Sequence, residues 1–159
     1  MQIDISISDQ TLTLRDDAGG VLAAYPVSTA TNGAGEHKGS YCTPRGQHIV
    51  RAKIGADCAV GTVFVGRRPT GESWTPELAA QEPERDWILT RILWLSGCEH
   101  GRNRLGDCDT MQRYIYIHGT PDSEPVGVAR SHGCIRMRNA DVVDLFEKVP
   151  VGTPVMISA

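Results

Sequence analysis

Residues Arg130 to Asn139 read R-S-H-G-C-I-R-M-R-N, which sets one cysteine two places after a histidine and inside a cluster of arginines. A thiol of pKa ~8.5 is only a few per cent thiolate at neutral pH, so a nucleophilic cysteine needs a base or nearby positive charge. Both are at hand. His118 closes the run Y-I-Y-I-H-G-T-P and can serve as base, while Arg130, Arg136 and Arg138 bring charge with no carboxylate between positions 130 and 138. Gly133 lets the backbone turn tightly before Cys134. The N–H groups of these two residues can then converge on a developing oxyanion. A helix starting soon after Cys134 would add its N-terminal dipole to the same field.

Spacing excludes several cysteine chemistries. A phosphatase loop needs histidine directly before the cysteine and arginine six places after, but Gly133 and Ala140 occupy those positions. Papain-like enzymes carry the cysteine early and the histidine late, the reverse of this order. The H-x-E and P-C-x-x-C pattern of zinc deaminases is missing. A metal-dependent peptidase using His118, His132 and Cys134 as ligands and a non-catalytic peptide-binding module remain as rivals. Cys98, His100, Asp107 and Cys108 match no standard zinc spacing.

The elements that must position these groups are mostly strands. At 159 residues the chain has the length of one domain, residues 1–159, able to bury ~70% of its unfolded surface. Ile3, Ile5 and Ile7 alternate with polar residues, as do Leu12 and Leu14, which predicts two half-buried strands joined by a tight turn. Further strands are predicted at V-L-A-A-Y-P-V, Gln47 to Ile54, Val60 to Val65, Ile88 to Leu95 and T-P-V-M-I-S. In Tyr114 to Pro121 a period of two places Tyr114, Tyr116 and His118 on one face and Ile115 and Ile117 on the other. Thr75 and Pro76 open a short helix. The main helix follows the cysteine motif, with Asn139 as cap and Val142, Val143, Leu145, Phe146 and Val149 as its apolar stripe. Trp87 and Trp94 read as core.

A net charge of −3 gives no sign of nucleic-acid or membrane affinity. The opening M-Q-I-D-I-S-I-S-D has no basic segment leading an apolar run, so neither signal peptide nor anchor is expected. Five cysteines, odd in number and never in a C-x-x-C pair, fit a reducing compartment. The expected location is the cytoplasm, or the periplasm if a leader has been removed.

The run I-H-G-T-P…S-H-G-C-I-R-M-R-N-A-D-V-V-D-L-F-E-K-V-P-V-G-T-P-V closely resembles the catalytic core of the L,D-transpeptidase (YkuD-type) family. V-S-T-A…G…T-P-R-G-Q-H resembles its strand-and-loop entry. The resemblance implies a mainly β sandwich or barrel domain with one main helix after the cysteine motif, and no cofactor or metal. It implies a peptidoglycan stem tetrapeptide as partner: Cys134 attacks the L-centre carbonyl at position three, expels D-alanine and holds a thioester. His118 takes the thiol proton, Ser131 and His132 shape the turn, and the Gly133 and Cys134 N–H groups form the oxyanion hole. Arg136, Ser131, Tyr116 and Gly119 are the candidate substrate-binding residues, with Arg136 gripping a carboxylate bidentately. A carbapenem would acylate Cys134. Relatives without an export signal use water as acceptor, which makes an L,D-carboxypeptidase of cell-wall recycling the expected activity, with amine transfer as the alternative. Arg136 departs from the asparagine that many members carry, and the His118-to-Ser131 gap is short.

Overall fold

The computed structural model describes residues 1–159. The alternating N-terminal residues form β1 (Gln2–Ser6) and β2 (Thr11–Arg15), followed by β3 (Val21–Pro26), β4 (Gly46–Ile54), β5 (Thr62–Val65) and β6 (Arg68–Ser73). After α1 (Pro76–Gln81) come β7 (Ile88–Gly97), β8 (Tyr116–Thr120), β9 (Ile135–Arg138), α2 (Asn139–Lys148) and β10 (Pro154–Ser158). All ten strands belong to one sheet in the order β3-β2-β1-β10-β4-β7-β5-β6, and β8 and β9 extend from β7. The sheet is curled and mainly β, as the sequence predicted, with two helices.

The period-two pattern explains where the core lies. Ile3, Ile5, Leu12, Leu14, Val50, Leu93, Leu95, Ile117, Ile135, Met137, Val155 and Ile157 turn to one side and are almost fully buried. Val142, Leu145, Phe146 and Val149 of the predicted stripe cover them from α2, which packs on β7, β8 and β9. Burying a large aliphatic side chain contributes about 1.5–3 kcal/mol, so this cluster, rather than helix propensity, holds α2 in place. The Thr75 hydroxyl accepts from the Leu78 N–H and Pro76 stands in the first turn of α1, as the sequence indicated.

Four sequence expectations need correction. The strand around His118 begins at Tyr116, because Tyr114 has φ +57° and lies exposed outside the alternation. β6 went unseen because R-P-T-G-E-S has no apolar alternation; it is almost wholly exposed. β9 went unseen because four residues are too few for a period. Finally, Asn139 does not cap α2. Arg138 holds the cap position without a side-chain bond, and Asn139 lies buried in the first turn. There it accepts from the Thr90 hydroxyl and donates to Asp122. Since β9 separates Cys134 from α2, the helix dipole is not aimed at the sulfur.

Asn139 and a bulge in β7 at Thr90 (φ +75°) press on Gly119 of β8. A Cβ at Gly119 would meet the Asn139 side-chain oxygen and would stand 2.6 Å from the Leu89 carbonyl oxygen. Gly119, predicted to touch substrate, is a tight packing point and does not line the cleft that holds Cys134 and His118. We expect Gly119→Ala to destabilise the fold by about 1–3 kcal/mol, as overpacking does, and to lower Tm by about 2–4 °C for each kcal/mol. Thermal unfolding checks this; an unchanged Tm would show that the backbone there can yield.

Candidate active site

Parallel pairing of β8 with β9 sets Ile117 opposite Ile135 and His118 opposite Arg136. Both isoleucines are in the core, so strand parity turns Tyr116, His118 and Arg136 to the other side, with Cys134 just ahead of β9. These four residues line one cleft of about 420 Å³ together with Arg67, Asp86, Tyr114 and His132. The structure thus brings the predicted nucleophile and base to one cavity.

His118 is almost fully buried, and its Nδ1 lies 2.7 Å from the Gly119 carbonyl oxygen. A carbonyl can only accept, so Nδ1 carries the proton and the Nε2 lone pair is left free to take one. Burial holds the His118 pKa below the usual histidine range, outweighing the Gly119 carbonyl and Asp86, which favour the charged ring.

The thiol is tuned the other way from what the arginine cluster suggested. Burial is the main cause that pushes Cys134 up to about 12; the Tyr116 N–H, Arg136 and Arg113 pull it down and Asp86 raises it. The Tyr116 N–H donates to Sγ at 3.3 Å, and the thiol donates to the Tyr114 carbonyl at 3.4 Å. His118 is not among these partners. At rest the pair is therefore a neutral thiol and a neutral imidazole, and the residual exposure of Cys134 faces the cleft.

The turn before the sulfur is built by Ser131, whose hydroxyl donates to the Cys134 carbonyl at 2.5 Å and accepts from the Gly133 N–H at 3.1 Å. The Gly133 N–H is thus engaged and does not face a substrate, contrary to the sequence expectation. The Cys134 N–H donates to no protein group and remains for an oxyanion. Gly133 has φ +131°, and a Cβ there would stand 3.0 Å from Ile115 and 3.2 Å from the Cys42 carbonyl oxygen. Only glycine meets both conditions. The Thr43 hydroxyl ties the Gly133 carbonyl down at 2.9 Å.

Arg136, expected to grip a carboxylate of the substrate, already has one in the protein: its Nη2 donates to Asp86 at 3.0 Å. His132 sits exposed at the rim, 4.0 Å from Asp86 and edge-on to Tyr41. Arg130 and Arg138 lie outside the cleft. His118, His132 and Cys134 do not converge as metal ligands. Sequence reasoning missed Arg67, Asp86 and Arg113, which come from separate segments with no recognisable spacing. Arg113 is half-buried and donates to the carbonyls of Gly35, Glu36 and Cys42 and to the Ser40 hydroxyl, fixing the glycine-rich loop beside the cleft. Trp94, read as core, packs half-buried against the cluster of Phe64, Ile92 and Tyr116, meeting Tyr116 edge-on and the cleft residue Tyr114 at a tilt.

Comparison with known proteins gives the family and the fold. Residues 1–157 match the model of the YkuD family, the L,D-transpeptidase catalytic domain. The chain belongs to that family. It is 56% identical over 130 residues to the probable L,D-transpeptidase YbiS of Escherichia coli K12, covering 72% of this chain and 40% of YbiS. It is 57% identical over 46 residues to the putative L,D-transpeptidase YqjB of Bacillus subtilis, covering 29% and 26% of the two chains. In fold it is similar to an L,D-transpeptidase from Mycobacterium smegmatis, with TM-score 0.63 and 22% identity over 99% of this chain and 58% of that one. L,D-transpeptidase 3 of Mycobacterium tuberculosis, solved with a faropenem-derived adduct, gives TM-score 0.60 and 20% identity over 99% and 59%. The chain therefore spans less than two thirds of these relatives.

A neutral thiol–imidazole pair has a distinct pH signature. Alkylation of Cys134 by iodoacetamide should be slow at pH 7 and rise without a plateau to at least pH 10. The acid limb of kcat/KM should lie below pH 6.5, since His118 must be neutral to accept a proton and its pKa is lowered. An alkylation plateau between pH 5 and 7 would indicate a resting ion pair and contradict the assignment.

Proposed function

We propose that the chain is a cysteine acyl-transfer enzyme acting on the bond between meso-diaminopimelate and D-alanine in peptidoglycan tetrapeptide stems. One observation carries the reading: Cys134 shares a cleft with an imidazole whose Nδ1 proton is fixed on Gly119, so the free Nε2 faces the task of base. In the first step the thiol proton passes to Nε2 as the sulfur bonds to the L-centre carbonyl carbon, with the Cys134 N–H toward the developing oxyanion. The imidazolium then protonates the departing amine of D-alanine as the C–N bond breaks, leaving a thioester. In the second step His118 takes a proton from water as its oxygen bonds to the thioester carbon; the C–S bond then breaks, the imidazolium returns its proton to the sulfur, and the acid product leaves and ionises to the carboxylate.

Five free cysteines accord with a reducing compartment, and there water is the acceptor at hand. This supports the L,D-carboxypeptidase reading and a cytoplasmic setting. Relatives named as L,D-transpeptidases favour the second reading, in which an amine takes the acyl group. Both share every step up to the thioester.

Incubation with purified tetrapeptide followed by mass spectrometry separates them. Free tripeptide is expected; peptide dimers or exchange of the terminal D-amino acid would transfer the assignment to an amine acceptor. Cys134→Ala should lower turnover by at least about 10³-fold, and a carbapenem should add its mass to the wild type but not to this variant. Full turnover by Cys134→Ala would exclude the mechanism.

A further inference from the structure

The cleft holds three guanidinium groups, and their partners differ. Arg136 is paired with the one carboxylate of the cleft, Asp86. Arg113 is engaged by three carbonyls and a hydroxyl. Arg67 has no acidic partner. Its Nη1 donates to the Tyr116 hydroxyl at 3.0 Å, and its other N–H donors have no acceptor in the protein.

Arg67 is nevertheless held in place. Its guanidinium lies 4.7 Å from the ring centre of Trp94 and 4.8 Å from that of Tyr114. Two rings and one hydroxyl fix a side chain that would otherwise lose much rotamer freedom on binding a ligand. The backbone is equally specific. Val65 pairs with Arg68, so Gly66 and Arg67 form the two-residue turn between β5 and β6, with φ +56° and +65°. Such a turn requires positive φ at both positions and favours asparagine, aspartate or glycine there. An arginine in that conformation is strained, and nothing in the hairpin itself calls for one.

We propose that Arg67 is the carboxylate-recognition residue of this site, reading the free α-carboxylate of the residue that leaves. The inference rests on the acyl-transfer reading above. A cleft of about 420 Å³ accommodates only the residues flanking the attacked carbonyl. Of their groups, the terminal carboxylate lies one residue beyond the bond to be broken. The planar guanidinium, with its Nε and Nη2 donors unpaired, suits it as a charge-assisted donor. Arg67, rather than Arg136, then selects peptides that end immediately after the scissile bond.

The test uses the full chain carrying Cys134→Ala, so that binding is read without turnover. Calorimetric Kd values are measured for synthetic stem tetrapeptide as free acid and as C-terminal amide. The acid should bind at least about tenfold tighter than the amide, in line with a hydrogen bond to a charged group. Adding Arg67→Met, which keeps an apolar stem on the two rings, should abolish that preference, and Arg67→Lys should restore part of it. An unchanged acid-to-amide ratio in Arg67→Met would overturn the proposal and leave Arg67 as a strut of the hairpin. Turnover of tetrapeptide by the wild type is followed in parallel. Cleavage with an Arg67-independent ratio defeats only the present inference. Arg67-dependent binding without cleavage defeats only the acyl-transfer reading. A tetrapeptide that neither binds nor is cleaved defeats both.

Discussion

The parallel pairing of β8 with β9 is the constraint on which the site depends. Parallel neighbours cannot be joined by a tight hairpin, so the chain must leave after Thr120 and return at Ile135 through an irregular crossover. Such a segment has no ladder of its own, and its backbone groups need partners elsewhere. Val27, Ser28 and Thr29, all fully buried, supply them. Gly127 donates to Val27, Arg130 and Ser131 donate to Thr29, and Ser28 exchanges both bonds with Arg136. The V-S-T-A stretch is thus a splint for the loop that delivers Cys134. The candidate nucleophile is placed by a crossover clamped at its far side, and the candidate base by the strand that the crossover left.

Electrostatics at the sulfur follow from packing rather than from the arginine count. Arginines close in sequence are dispersed by strand geometry: Arg136 reaches the cleft, while Arg130 and Arg138 point elsewhere. Asp86, remote in sequence, then neutralises Arg136. Burial then outweighs the remaining pull of Arg136 and Arg113, and it favours the neutral form of both Cys134 and His118. A cluster of like-charged residues in a motif is therefore a poor guide to the field at its centre.

Legibility in the sequence divides along the same line. β1, β2, the Thr75 cap and the stripe of α2 depend on neighbours within a few residues, and alternation or spacing displays them. The crossover's two ends were legible as I-H-G-T-P and S-H-G-C because catalysis and tight turning restrict the residue types. Asn139 was misread because a local capping rule competed with two tertiary partners, Thr90 and Asp122, which took its side chain. Arg67 and Arg113 were illegible because their roles arise only when a hairpin and a loop fold back over the cleft. Gly119 was read as a substrate-binding candidate, whereas the pressure on it comes from β7 and α2.

Gly119 also shows how packing and reactivity share one contact. Its carbonyl fixes the His118 tautomer, and its missing side chain lets β8 lie against the Leu89 carbonyl and Asn139. A carboxylate in the carbonyl's place would orient the ring equally well but would stabilise the imidazolium far more, drawing the thiol proton over before substrate arrives. A backbone carbonyl orients without supplying a full negative charge. In a cleft where burial already opposes charge, the mechanism proposed above then keeps proton transfer unfavourable until a carbonyl carbon stands at the sulfur and the Cys134 N–H meets a forming oxyanion. The charge separation is then stabilised in the transition state rather than at rest, where it would lower the barrier least.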